Sequence, residues 1–184
     1  MSNHLYNIEL LRNPSTRSQA FEAMVNDLTP QLYMHIRRIV QYHDDANDVL
    51  QNTYLKAWKA LDCFRGEAQL STWLFRIALN ESISFMQRKR PTDSLSDDME
   101  DRVQTLESDP YFDGDETELQ LQQAIAHLPE KQRVVFNLRY FEEMKYEEMS
   151  KLLDTSEGAL KTSYHLAVKK LSSILMNTIK LIAR

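Results

Sequence analysis

One cysteine, three glycines and five prolines among 184 residues set the first limits on this chain. A lone thiol, Cys63, cannot form an intramolecular disulfide, which excludes a disulfide-stapled scaffold. Cys63 is expected as a buried or half-buried small hydrophobe. So little glycine and proline permits long helices. No apolar run approaches the roughly 18 residues of a membrane span, so no membrane insertion is expected. The opening stretch MSNHLYNIELLRNPSTR lacks a basic start followed by an apolar core, so it does not read as a signal peptide, and the cytoplasm is the expected compartment. Phosphate-cradling glycine loops and zinc-ligand spacings are missing too. His165 has no second His or Cys three or four residues away, which argues against a metal site. The acidic pairs Glu142-Glu143 and Glu147-Glu148 fall in a region read as helical and solvated, with nothing to tune them for acid–base work. No catalytic residue, cofactor, metal or small-molecule substrate is expected.

The net charge of −5 hides an uneven distribution. Residues 17–91 carry ten Lys/Arg and eight Asp/Glu, or +2. Residues 92–118 carry one Arg and eleven Asp/Glu, or −10. Residues 119–184 carry ten and seven, or +3. Two mildly basic blocks flank one acidic segment, an asymmetry that bears on partners rather than on fold.

Apolar periodicity is helical in both basic blocks. Phe21, Met24, Val25 and Leu28 share a face, Pro30 is expected to punctuate, and Leu32, Met34, Ile36, Ile39 and Val40 continue. Asp44 and Asp45 favour a new helix start, and Ala46, Val49, Leu50, Ala57, Trp58 and Leu61 form the next apolar set. From Pro91 to about Glu116 the periodicity vanishes. That acidic stretch cannot bury enough apolar surface to offset its ordering entropy, so it reads as a flexible linker. Leu119, Leu121, Ala124, Ile125 and Leu128 then outline a helix. Pro129 opens the next, which carries Val134, Val135, Leu138 and Tyr140. The expected fold is all-α. Two small helical domains, 1–91 and 117–184, are joined by an acidic linker at 92–116.

The stretch FRGEAQLSTWLFRIALNESISFMQRKR, from Phe64 to Arg90, is the most informative. It opens as a short loop containing Gly66, and Ser71 is placed to cap a helix. Leu70, Trp73, Leu74, Ile77 and Ala78 make an apolar face, while Arg76, Asn80, Ser84, Gln87 and Arg88 make a polar stripe. Arg88, Lys89 and Arg90 end the helix and Pro91 stops it. Such a loop and helix suit an unstacked nucleic-acid strand. They equally suit an amphipathic core helix with a solvated basic end, where cations favour the dipole.

Tyr146, Met149, Leu152 and Leu153 give a short helix, broken at Asp154-Thr155-Ser156. In the next helix Leu160, Tyr164, Ala167, Val168 and Leu171 form a core stripe, with Lys161, Thr162, His165 and Lys169 opposite. This is a helix-turn-helix length. Its outer face either enters a DNA major groove or is simply solvated.

These segments together resemble the RNA polymerase sigma factors of the sigma-70 family, extracytoplasmic-function (ECF) group, from about Phe21 to Leu171. Three motifs carry the likeness. DANDVLQNTYLKAWKAL (Asp45–Leu61) is similar to the family's core-polymerase clamp helix. FRGEAQLSTWLFRIALN (Phe64–Asn80) is similar to its promoter-melting, −10 reading segment. LPEKQRVVFNLRYFEEMKYEEMSKLLDTSEGALKTSYHLAVKKL (Leu128–Leu171) is similar to its −35 reading domain.

The resemblance implies a non-catalytic subunit that binds core RNA polymerase, reads promoter DNA and helps to melt it, under control of an anti-sigma factor. It implies that Asp48, Gln51, Asn52 and Leu55 face the polymerase. The loop Phe64, Arg65, Gly66, Glu67, Ala68 and Gln69 would hold a base flipped from the nontemplate strand. Arg76, Asn80, Ser84 and Arg88 would track that strand, and Lys161, Thr162, His165 and Lys169 would meet the −35 element. The chain departs from the family at Asn52, where Glu is common, and at Ser163, Leu166 and Val168, where many members carry Arg. The alternative is a stand-alone helix-turn-helix regulator of duplex DNA. It accounts for residues 146–171 but leaves the segment from Asp45 to Arg90 without a role.

Overall fold

The computed structural model describes residues 8–66, 68–88 and 116–182; the expected linker lies outside them except for Glu116, which opens a helix, and Lys89 and Arg90 lie outside them too. The described residues form eight α-helices and one short 3₁₀ turn, with no strand. The chain divides into two units, Met1–Ser96 and Asp97–Arg184.

In the first unit, α1 (Ile8–Arg12), α2 (Arg17–Val40), α3 (His43–Ala60) and α4 (Leu70–Arg88) pack together, with a 3₁₀ turn at Leu61–Cys63 after α3. Pro30 does not divide α2, which runs unbroken past it for 24 residues. The reason is energetic. An interior proline costs about 3 kcal/mol, whereas each fully buried large apolar side chain contributes about 1.5–3 kcal/mol. Met24, Leu28, Leu32, Tyr33, Ile36, Ile39 and Val40 are all buried along α2, while Pro30 sits on its exposed side. Beside it, the Thr29 hydroxyl donates to the Val25 carbonyl at 2.7 Å and shares a hydrogen bond with the Tyr54 hydroxyl of α3. The helix ends at Gln41, whose φ of 74° turns the chain. Core side chains from α3 and α4 (Ala46, Val49, Ala57, Leu74 and Ala78) complete this unit's interior.

Cys63 is exposed rather than buried. The 3₁₀ turn has one inward position, and Leu61 takes it at 3% exposure. The turn is held by the N-terminal segment: Arg17 pairs with Asp62 at 2.7 Å and donates to the Trp58 carbonyl at 2.9 Å.

The second unit contains α5 (Glu116–Ala126), α6 (Glu130–Tyr140), α7 (Tyr146–Leu153) and α8 (Glu157–Ile182). Its core joins Ala124, Ile125, Leu128, Phe136, Ala167 and Leu171, flanked by Leu121, Tyr164, Ile174 and Leu175. Tyr140 is exposed, stacked on Phe136 with ring centroids 5.1 Å apart. The pair Glu142-Glu143 lies in the turn after α6, not in a helix, with Glu143 at φ 50°. Val168 also leaves the expected core stripe. It is 38% exposed, because it lies at the stripe's edge, beyond Tyr164 and Leu171.

Candidate nucleic-acid and partner-binding surfaces

Helix α3 buries Ala46, Val49, Leu50, Thr53 and Ala57 and turns its other side outward. Asp48, Gln51, Asn52 and Leu55 are all exposed there, Leu55 by 59%. The helix brings all four onto one face because they recur at three- and four-residue steps. Trp58 belongs to the apolar set by periodicity, yet it is 37% exposed. It meets Phe21 edge-on at 5.0 Å, and the Arg17 guanidinium lies 4.8 Å from its ring centre. It therefore extends the exposed α3 face toward the 3₁₀ turn.

The loop after that turn holds residues of two kinds. Arg65, Gly66, Ala68 and Gln69 are exposed, and Glu67 lies outside the described residues. Phe64 is buried: its ring packs on Trp73 with centroids 5.1 Å apart, and its carbonyl accepts from Arg12 at 2.9 Å. Phe64 thus supports the loop from beneath rather than lining its open side. Gly66 sits at φ 78°, where a residue with a Cβ would be strained.

Helix α4 starts at Leu70 and not at Ser71. The Trp73 amide donates to the Gln69 carbonyl at 3.0 Å, which puts Ser71 inside the first turn. Arg76, Asn80 and Arg88 are exposed and Ser84 is half-buried, so the polar stripe runs the length of the helix. Arg88 bends back, its Nε donating to the Ser84 carbonyl at 3.1 Å. Sequence periodicity gave no sign that Glu81 and Ser82 lie inward. Ser82 bonds its own helix at the Ala78 carbonyl (2.8 Å), and Glu81 pairs with Lys56 of α3. A carboxylate at a core-facing position beside a lysine on the neighbouring helix is legible only in three dimensions.

In the second unit, α7 packs on α8, and each buries a side chain fully, Met149 on α7 and Leu160 on α8. Between them Asp154 adopts the left-handed conformation that ends α7, which a short polar side chain tolerates. Ser156 Oγ accepts from the Ala159 amide at 3.4 Å and opens α8. At the start of α7 the Lys145 amide donates to the Glu148 carboxylate at 3.4 Å. On the same helix Lys151 donates to Glu147 at 2.7 Å, and that hydrogen bond holds the Glu147 carboxyl below its usual range and raises Lys151.

Lys161, Thr162, His165 and Lys169 all stand exposed on α8. Two of them already have intramolecular contacts. The Lys161 ammonium is 3.3 Å from Glu157 and 5.5 Å from the Tyr146 ring centre, so it also ties α8 to α7. The Thr162 hydroxyl donates to the Gly158 carbonyl at 3.0 Å. Leu166, 46% exposed, adds an apolar spot next to His165 that charge patterning did not flag. Among the described residues, no group of three or more His, Cys, Asp and Glu could hold a metal ion, and no helix is long and apolar enough to cross a membrane.

Comparison with known proteins matches both units. The family model "Sigma-70 region 2" covers residues 24–92, and "Sigma-70, region 4" covers residues 118–171. RNA polymerase sigma-H factor of Pseudomonas aeruginosa is 30% identical over 162 residues, spanning 78% of this chain and 80% of that protein. ECF RNA polymerase sigma factor SigW of Bacillus subtilis is 29% identical over 156 residues, 79% of this chain and 83% of that one. Among solved structures, the sigma factor RpoE in complex with the anti-sigma factor NepR from Bartonella quintana has the same fold. Its TM-score is 0.54 at 23% identity, covering 86% of this chain and 98% of that chain. With two sigma-70 regions in order and relatives aligned across most of their own length, the chain belongs to the ECF group of the sigma-70 RNA polymerase sigma factors.

Proposed function

We propose that this chain works as a detachable, non-catalytic specificity subunit in the cytoplasm, with its three exposed faces divided between polymerase and promoter. The α3 face of Asp48, Gln51, Asn52 and Leu55 takes core RNA polymerase. The open side of the loop, from Arg65 to Gln69, takes one unstacked base of the −10 element. Arg76, Asn80 and Ser84 follow the same strand along α4, and Arg88 reaches a phosphate once released from Ser84. The α8 face enters the major groove at the −35 element. Melting is driven by binding: contacts to flipped bases replace stacking, at a cost of a few kcal/mol per base. The residues 92–116 act as an acidic linker between the domains 1–91 and 117–184. An anti-sigma factor is a further partner, in keeping with the RpoE complex of the same fold.

The observation that carries this reading is that α3 and α4 expose polar stripes from one small bundle, each clear of the other's buried face. A stand-alone regulator needs only α7 and α8. The test is transcription in vitro from fragmented genomic DNA with core polymerase, with and without the chain. Discrete new start sites that require both components are expected. Tight binding of the chain alone to duplex DNA, with no association with core, would establish the regulator instead.

A further inference from the structure

The N-terminal segment before the region 2 match, which begins at residue 24, meets the loop and its preceding turn through three side chains. Arg12 donates from its guanidinium to the Phe64 carbonyl at 2.9 Å. Arg17 holds Asp62 at 2.7 Å and the Trp58 carbonyl at 2.9 Å, both in the approach to the loop. The Ile8 Cδ1 atom lies 3.6 Å from where a Cβ on Gly66 would stand, so Ile8 lies beside the glycine turn itself. From the other side Trp73 holds the Phe64 ring. The loop is thus gripped at its first residue and at its glycine, while Arg65, Ala68 and Gln69 stay exposed.

We propose that the segment from Ile8 to Arg17 is a brace that sets this loop for base capture, with Arg12 as its positioning residue. The inference rests on the reading of the loop as the base pocket. A loose loop must be ordered when the base arrives, and that entropy is subtracted from binding. Unstacking a base already costs a few kcal/mol, so a pocket that recognises it gains most from being preformed. A guanidinium bonded to a backbone carbonyl is suited to this, since it fixes the main chain at Phe64 and leaves the outward side chains for DNA.

The experiment uses the full chain assembled with core polymerase and a single-stranded DNA pool with about ten randomised positions, within the usual range of single-strand site sizes. Bound DNA is quantified and sequenced, and core affinity and thermal melting are measured alongside. Arg12→Ala should bind the pool about five- to tenfold more weakly, the scale of one ordinary hydrogen bond. It should also flatten base preference at one position while core affinity stays at the wild-type value and melting falls by only a few degrees, the scale of one lost hydrogen bond. Arg12→Lys retains a cationic donor and should restore part of the preference. Unaltered preference in Arg12→Ala would overturn the brace. So would a loss accompanied by weakened core affinity or by loss of the cooperative melting transition, which marks a purely structural residue. A variant with residues 65–69 replaced by Gly-Ser separates the two claims. If it keeps wild-type preference, the base-pocket reading fails and the brace with it. If it loses preference while Arg12→Ala does not, the brace alone fails.

Discussion

The Lys56 ammonium of α3 pairs with the Glu81 carboxylate of α4, joining the helix proposed to bind polymerase to the helix proposed to bind DNA. The two ends differ in setting: the Glu81 side chain is 8% exposed and that of Lys56 61%. Glu81 has given up most of its water and depends on this partner, while Lys56 keeps much of its hydration. The ion pair therefore matters chiefly as the satisfaction of a buried carboxylate.

Lys56→Ala should destabilise the first unit by about 1–2 kcal/mol, below the value for a fully buried pair because one partner is solvated. Adding Glu81→Gln should recover part of that loss, since a neutral amide is cheaper to bury. Denaturant melting of the four combinations gives the coupling energy. Strictly additive effects would show that the pair carries no such role.

Asp48→Ala with Gln51→Ala should weaken core binding about tenfold or more, the scale of two lost interface hydrogen bonds. The fold should be intact, because both side chains are exposed on the face opposite Val49 and Ala57. Competition with wild type for limiting core polymerase measures this. Equal displacement would remove α3 from the interface.

On α8, Lys169→Ala should weaken binding at all promoters alike and lower the salt slope by about one unit, the mark of one phosphate contact. His165→Ala should instead change the ranking among −35 sequences, since a side chain that reaches base edges discriminates between them. Thr162→Ala is expected to be milder, because its hydroxyl already donates to Gly158. Binding titrations over a −35 library at several salt concentrations read all three. Unchanged ranking for His165→Ala would place that side chain off the bases.

Replacement of residues 65–69 by Gly-Ser, with Phe64 kept for its packing on Trp73, should leave duplex promoter binding by the holoenzyme intact and abolish open-complex formation. Permanganate reactivity of promoter thymines reports melting. Wild-type reactivity in this variant would place strand capture elsewhere.

Much of this architecture was legible in the sequence because helices advertise themselves through local spacing. The turn at Asp154, the stripe of Leu160, Ala167 and Leu171 (without Val168) and the exposed positions of α3 all follow from local spacing. Three features with a bearing on the site did not, beside smaller departures such as Cys63, Val168 and the Glu142-Glu143 turn. Pro30 reads as a break, yet α2 absorbs it, since burial along the whole helix outweighs one lost hydrogen bond. Trp58 reads as core, yet it lies at a helix end where Arg17 and Phe21 cover only part of it. Phe64 reads as part of an open loop, yet its side chain turns inward onto Trp73.

The sequence by itself determined the helical class, the order of the two regions and the exposed stripes, because 3.6-residue periodicity and motif spacing are properties of neighbouring residues. It determined the family too, through three motifs in a fixed order. Only the tertiary structure decided which polar groups are buried and what holds the loop. Glu81 lies 25 positions from Lys56, and Arg12 lies 52 from Phe64. Contacts at such separations depend on how helices pack, and no local pattern encodes them.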